Sequence, residues 1–103
     1  MNVLRLDPET RDLHFRAQSL RLTKIEFAIL TQLLSGDGGF VARQELLRLV
    51  WGPKVSVEAR TVDSHVVRLR RKLLQLAGLE GPTIETVWGL GYRIKYSGEC
   101  AFS

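Results

Sequence analysis

A chain of 103 residues accommodates one small domain and leaves no room for a second core. Hydrophobic residues make up 45% of it, enough to bury a core instead of remaining disordered, and the single cysteine, Cys100, excludes an internal disulfide and fits a reducing, cytoplasmic setting. The formal net charge of +4 favours a polyanionic partner.

In chain order, Val3-Leu4-Arg5-Leu6 reads as a strand closed by the turn Asp7-Pro8-Glu9-Thr10, where Asp and Pro take favoured turn positions. Leu13-His14-Phe15 and Ser19-Leu20-Arg21-Leu22 alternate apolar and polar residues, predicting a small antiparallel meander. Thr23-Lys24-Ile25-Glu26 is a capping box that opens a first helix. Ile25, Phe27, Ala28, Ile29, Leu30, Leu33 and Leu34 cover most of its circumference, so it is central and buried, and Gly36, Gly38 and Gly39 end it. A second helix over 43–50 carries Leu46, Leu47, Leu49 and Val50 and stops at Trp51-Gly52-Pro53, where proline lacks the amide proton to continue.

The third helix, about residues 58–76, is the informative one. At about 100° per residue, Val62, Val66, Leu69, Leu73 and Leu76 form one stripe some 80° wide. Opposite it lie Arg60, Ser64, Val67 and Arg71, with Arg68 on one shoulder and Asp63 on the other. Arg70 and Lys72 flank the stripe, from where their long side chains are expected to swing outward. Between positions 60 and 72 stand five basic residues (Arg60, Arg68, Arg70, Arg71 and Lys72) against one acid, Asp63, while the rest of the chain has 10 of each sign. The excess charge thus belongs to one helix.

Gly78, Gly81 and Pro82 end that helix. Residues 83–88 and 92–96 then alternate as two strands of a hairpin, joined by Gly89-Leu90-Gly91, whose glycines are expected to supply the positive φ of a tight turn. Residues 98–103 are expected to form a disordered tail, which leaves residues 1–97 as the domain. The order predicts an α+β fold, a winged helix-turn-helix with an N-terminal antiparallel β-sheet, a three-helix core and a C-terminal β-hairpin wing at 84–96.

A helix fits the DNA major groove, and arginine offers a two-pronged fork to guanine O6 and N7. The bland alternative is a solvated charged face, but such faces mix signs for i,i+4 pairing, whereas this one is nearly all positive. A rival of another class is a winged helix used only for protein contact, which calls for an apolar or mixed-sign third helix. Enzymatic activity is not expected: Asp63-Ser64-His65 contains triad residue types, yet neighbours on a helix diverge by about 100°. Gly89-Leu90-Gly91 lacks the strand-to-helix setting and lysine of a phosphate loop. No cofactor or metal is expected, since His14, His65 and Cys100 show no ligand spacing. No apolar run approaches a membrane span, the longest near Phe27 being 27–30, and residues 1–5 lack the apolar core of a secretory signal.

Three further blocks sharpen the reading. Trp51-Gly52, then Val57-Glu58-Ala59-Arg60-Thr61-Val62-Asp63-Ser64-His65-Val66-Val67-Arg68-Leu69-Arg70-Arg71-Lys72-Leu73, then Ile84-Glu85-Thr86-Val87-Trp88-Gly89-Leu90-Gly91-Tyr92-Arg93 resemble the OmpR/PhoB class, the winged-helix output domains of bacterial two-component response regulators. Leu22-Thr23-Lys24-Ile25-Glu26-Phe27 and Arg43-Gln44-Glu45-Leu46-Leu47 are also in register, and the likeness runs over roughly 3–95.

The resemblance implies sequence-specific binding of double-stranded DNA in the control of transcription. Arg60, Thr61, Ser64 and Arg68 match base or phosphate contacts of the recognition helix, with His65 and Arg70 as further contact positions. Phosphate contacts are expected from Arg60, Arg70, Arg71 and Lys72, and base selection from Arg68, Ser64, Thr61 and Val67. Trp51 matches a phosphate-side residue, or is equally a core plug; Thr86 and Tyr92 match wing positions near the backbone. The loop Gly52, Pro53, Lys54, Val55, Ser56, Val57 corresponds to a segment that touches RNA polymerase in relatives. Tandem head-to-tail dimers on direct repeats and control by an N-terminal receiver domain are implied as well. The receiver's aspartate cluster does not occur in these 103 residues, so the chain is read as either an excised domain or a stand-alone regulator.

Two positions depart from the family pattern. Trp88 stands where several relatives carry a wing arginine that enters the minor groove. An indole supplies no charge, so Trp88 is expected not to read that groove but to pack or to make a single phosphate hydrogen bond. Arg93 is a candidate substitute, while the wing as a whole is expected on the adjacent backbone or minor groove. Val67 replaces an arginine of some relatives, and either meets a thymine methyl or is partly buried at the helix margin. His65 is either a packed histidine or a base reader.

Overall fold

The computed structural model describes residues 3–36, 39–54 and 56–102. Strands β1 (Val3–Leu6), β2 (Asp12–Phe15) and β3 (Gln18–Arg21) form the expected antiparallel meander. The alternation of β1 and β2 turns Leu4, Leu6, Leu13 and Phe15 into the core. Asp7 Oδ1 accepts the Glu9 amide at 3.0 Å, closing the first turn as its side chain chemistry dictates.

Helix α1 (Lys24–Ser35) starts where the capping box places it. Thr23 Oγ1 accepts from the Glu26 amide at 3.2 Å, and Glu26 Oε1 accepts from the Thr23 amide at 2.9 Å. Gly36 is its C-cap in an extended conformation; Gly38, expected among the terminating glycines, lies outside the described residues. A two-residue strand β4 (Val41–Ala42), which the sequence pattern does not signal, leads into α2 (Arg43–Trp51), and α3 (Arg60–Ala77) follows after a turn. The five residues of the α3 stripe, Val62, Val66, Leu69, Leu73 and Leu76, are its buried residues, all at 5% exposure or less.

β5 (Thr83–Val87) and β6 (Gly91–Lys95) pair antiparallel as the hairpin, and β4 adds to β6 as a third strand. The glycines of the turn do different jobs. The Leu90 amide bonds to the Val87 carbonyl at 2.9 Å, with Gly89 at φ 77° in the left-handed region that a side chain disfavours. Gly91 has no such φ; a Cβ there would lie 2.1 Å from the Val41 carbonyl oxygen, so it is required by the close approach of β4.

The C-terminal segment corrects the expectation of a disordered tail. Glu99–Phe102 forms β7, parallel to β1 with Val3 opposite Glu99 and Leu6 opposite Phe102, so the N-terminal sheet is mixed, in the order β3-β2-β1-β7. None of its four residues is buried; main-chain pairing with the open edge of β1 holds it, and side-chain alternation cannot reveal such a strand.

One carboxylate is buried among the described residues. Glu26 is 1% exposed, and besides the Thr23 amide its Oε1 accepts from Lys72 Nζ at 2.6 Å. Lys72 Nζ also donates to the Arg21 carbonyl at 3.3 Å. Burial raises the carboxyl's proton affinity, but the bonds from Lys72 and Thr23 outweigh it and hold the group below its ordinary value of 4.5. A carboxyl lowered by folding contributes stability that is present above the ordinary range and lost as pH falls through the folded value. Lys72→Ala leaves the buried carboxylate without its cation and is expected to cost about 2–3 kcal/mol at pH 7, under the full value for an enclosed pair because Lys72 is partly wet. Urea titrations should show that deficit shrinking as the pH is lowered and the buried Glu26 carboxylate takes up a proton; a deficit independent of pH would refute the role assigned to the pair.

Candidate nucleic-acid interface

α3 presents three sides. Its apolar stripe is buried, each shoulder is tied down, and the remaining face is open. On one shoulder, Asp63 accepts from two guanidinium nitrogens of Arg43, Nε at 3.1 Å and Nη2 at 2.6 Å, and from the Tyr92 hydroxyl. Tyr92 is buried, and burial together with the bond to Asp63 pushes its hydroxyl up to about 12. Two turns further along the same shoulder, Arg70 Nε donates to the Ile84 carbonyl at 2.9 Å and Nη2 to Thr86 Oγ1 at 2.7 Å, with the guanidinium 5.5 Å from the Tyr92 ring. The opposite shoulder carries Lys72, bound to Glu26, and His65, whose ring stands 5.5 Å from Trp51 in a tilted contact.

These contacts correct the expectation that Arg70 and Lys72 swing outward. At the edges of the stripe, an arginine fork meets a carbonyl and a hydroxyl of β5, and a lysine meets a buried carboxylate. Tyr92, expected at the wing surface, is a core residue, and Thr86 is half-buried with its hydroxyl occupied by Arg70. Arg93 is exposed but pairs with Glu85 at 2.7 Å. His65 is half-buried, and its Nδ1 is enclosed without a hydrogen-bond partner among the described residues. Burial foremost, then the charge of Arg68, holds it below its ordinary value against the opposing effect of Glu26. That is a packed neutral imidazole, with Trp51 half-buried beside it. Asp63 and His65 are thus drawn to opposite shoulders and do not converge with Ser64 on one point.

The open face holds Arg60, Ser64, Val67, Arg68 and Arg71, all exposed, with Thr61 half-buried in the first turn. Arg60 pairs with Glu58 at 2.6 Å, both side chains being well solvated; Arg68 and Arg71 form no ion pair with any described residue. Val67 is 50% exposed, so half of its side chain stays accessible on this face. Leu74 and Gln75 continue this face toward the C-terminus. Trp88 does not pack: it is 88% exposed at the hairpin tip. In the loop after α2, Gly52 and Val57 are half-buried and Pro53, Lys54 and Ser56 are exposed, while Val55 lies outside the described residues. The residue that the sequence does not flag is Arg43, whose role as partner to Asp63 depends on a contact twenty positions away. Among the described residues no group of His, Cys, Asp and Glu could hold a metal ion, and no helix is long and apolar enough to cross a membrane.

The guanidiniums separate into anchoring and free groups, which stability measurements can distinguish. Arg70→Ala leaves the Ile84 carbonyl and Thr86 hydroxyl without their donor and is expected to cost about 1–3 kcal/mol. Arg71→Ala, removing an exposed side chain, should change stability by less than about 0.5 kcal/mol. Equal losses in urea denaturation would contradict this division.

Comparison with known proteins places this geometry in context. Residues 17–94 match the family described as "Transcriptional regulatory protein, C terminal". The chain is 45% identical over 92 residues to the transcriptional regulatory protein VxrB of Vibrio cholerae, a match covering 89% of this chain and 35% of VxrB. It therefore spans about a third of the length of that curated relative. Among solved structures, the DNA-binding domain of Bacillus subtilis CssR superposes with a TM-score of 0.74 at 31% identity, covering 89% of this chain and 99% of that one. The Klebsiella pneumoniae RstA DNA-binding domain in complex with the RstA box gives a TM-score of 0.68 at 32% identity, covering 85% of this chain and 86% of that one.

Proposed function

Because this chain belongs to the family of C-terminal domains of transcriptional regulatory proteins, we propose that it binds double-stranded DNA sequence-specifically, in the cytoplasm, as the effector domain of a two-component response regulator. The observation that carries the proposal is the open face of α3. Three arginines stand on a rod about 27 Å long, two of them with no internal ion pair among the described residues, while the stripe behind them is buried. The RstA domain, similar in fold and sequence, is solved with its DNA box, which supports the same use of the fold here. The family is one of transcription regulators, not of enzymes.

α3 lies in the major groove. Arg68, Ser64, Thr61 and Val67 face base edges; Arg60 and Arg71 meet phosphates, Arg60 exchanging its solvated pairing with Glu58 for a stronger anion. Arg70 and Lys72 hold the helix in place and do not add phosphate contacts. The resemblance drawn from the sequence extends the proposal to tandem dimers on direct repeats, to RNA polymerase at the 52–57 loop, and to an N-terminal receiver domain in the full-length regulator.

Selection from a randomised duplex library, followed by shift assays at two salt concentrations, tests this reading. Arg71→Ala should weaken binding alike on all sequences and reduce the slope of log K against log salt by roughly 0.9. Arg68→Ala should cost about 1–3 kcal/mol on the selected duplex and little on random DNA. Uniform loss from Arg68→Ala would move that residue to the backbone, and absence of salt-dependent binding by the unmodified domain would overturn the proposal.

A further inference from the structure

The β5–β6 turn carries two apolar side chains that the fold does not use. Trp88 is 88% exposed and Leu90 53% exposed, although an indole is on average among the more buried side chains. Behind them the basic residues of the wing are drawn to one carboxylate: Arg93 Nε and Lys95 Nζ both bind Glu85, at 2.7 and 3.3 Å. We propose that Trp88 is an apolar wedge which, with α3 seated in the major groove, enters the adjacent minor groove and partly unstacks one base step, bending the duplex. This rests on the DNA-binding reading given above and specifies how the wing engages the same ligand.

Position, rigidity and chemistry all favour DNA as the occupant. Trp88, Gly89 and Leu90 line one cleft with Asp63 and Arg43, so the tip stands beside the N-terminal half of α3, next to the face bearing Arg60 and Ser64. Phosphates drawn to those arginines bring the neighbouring groove to the wing. The tip is also braced against recoil. Arg70 holds β5 at Ile84 and Thr86, the Tyr92 hydroxyl holds β6 to Asp63, and Gly91 lies against the Val41 carbonyl. A wedge must be rigid, because a yielding tip would fold back before a base step opened. A flat indole at the tip of a tight turn closed by the Leu90 amide on the Val87 carbonyl also suits a groove about 6 Å across, and apolar side chains inserted there unstack and kink DNA. Flexible pyrimidine–purine steps deform most easily, so such a step is expected at a fixed offset from the bases read by α3.

The test uses the duplex recovered by the selection, labelled at its ends with a donor and acceptor dye, at saturating protein. The unmodified domain should shorten the end-to-end distance. Trp88→Ala should fold with an unchanged urea midpoint, leave the duplex straight, bind about tenfold more weakly and keep the same salt slope. Trp88→Leu should restore part of the bend. Replacing the pyrimidine–purine step by an A-tract should weaken the unmodified domain and leave Trp88→Ala unaffected. Tight binding to an unbent duplex, or a bend undiminished in Trp88→Ala, would overturn the wedge alone. Failure of the unmodified domain to bind any duplex would instead remove the reading on which it rests.

Discussion

The carboxylate of Glu26 is the one charged group buried among the described residues, and the orientation of α3 depends on how it is compensated. It closes the first turn of α1 through the Thr23 amide and receives Lys72 from the middle of α3 on the same oxygen. A buried carboxylate is costly unless fully partnered, so the pair favours one rotation of α3 about its axis. Turning the helix by one residue, about 100°, would strand Glu26 and also lift Val62, Val66 and Leu69 from the core. The apolar stripe alone tolerates small rotations, because hydrophobic burial is non-directional. The ion pair, together with Asp63 held by Arg43 and Tyr92 on the other side, supplies the direction that burial lacks.

With both shoulders fixed, the basic residues of α3 divide by angle. Those at the edges of the stripe, Arg70 and Lys72, meet polar groups of the fold and become structural. Those opposite it, Arg60, Arg68 and Arg71, are exposed, and among the described residues their one ion-pair partner is the exposed Glu58 of Arg60. Five like charges on one helix repel, and pairing two of them inward lowers that repulsion while leaving the outer face positive. Sequence-local charge counting therefore overstates the number of phosphate contacts available to this helix, and with it the steepness of the salt dependence.

The features readable from the sequence are those whose cause is local. The Thr23–Glu26 box, the stripe from Val62 to Leu76, and the alternation of β1, β2 and the hairpin each depend on residues within a few positions, and the structure shows each of them. What escaped the sequence depends on distant partners. β4 and β7 exist because β6 and β1 present open edges to them, and main-chain pairing leaves little trace in side-chain pattern. The fates of Lys72, Arg70 and Asp63 are set by residues 46, 14 and 20 positions away. Periodicity placed each at the margin of the stripe but could not say which way a long side chain would turn. Tyr92 shows the same limit: its hydroxyl has a polar partner available inside, so a residue that reads as a surface wing position is enclosed.

The same bonds that hide Tyr92 and Arg70 make the wing and α3 one rigid unit. The hairpin is joined to the helix at Ile84, Thr86 and Tyr92, and its end beside the turn, Gly91 and Tyr92, is joined to the start of α2 through β4. A partner that engages the open face of α3 therefore meets the wing tip at a distance already set, without ordering either element on binding. Preorganisation of this kind avoids the entropic cost that flexible loops incur on association. It also carries a constraint: a rigid pair of contacts accommodates only partners whose spacing matches, or partners that deform. Double-stranded DNA deforms at particular base steps, so a stiff two-point contact converts shape into sequence preference even at positions where no side chain touches a base edge.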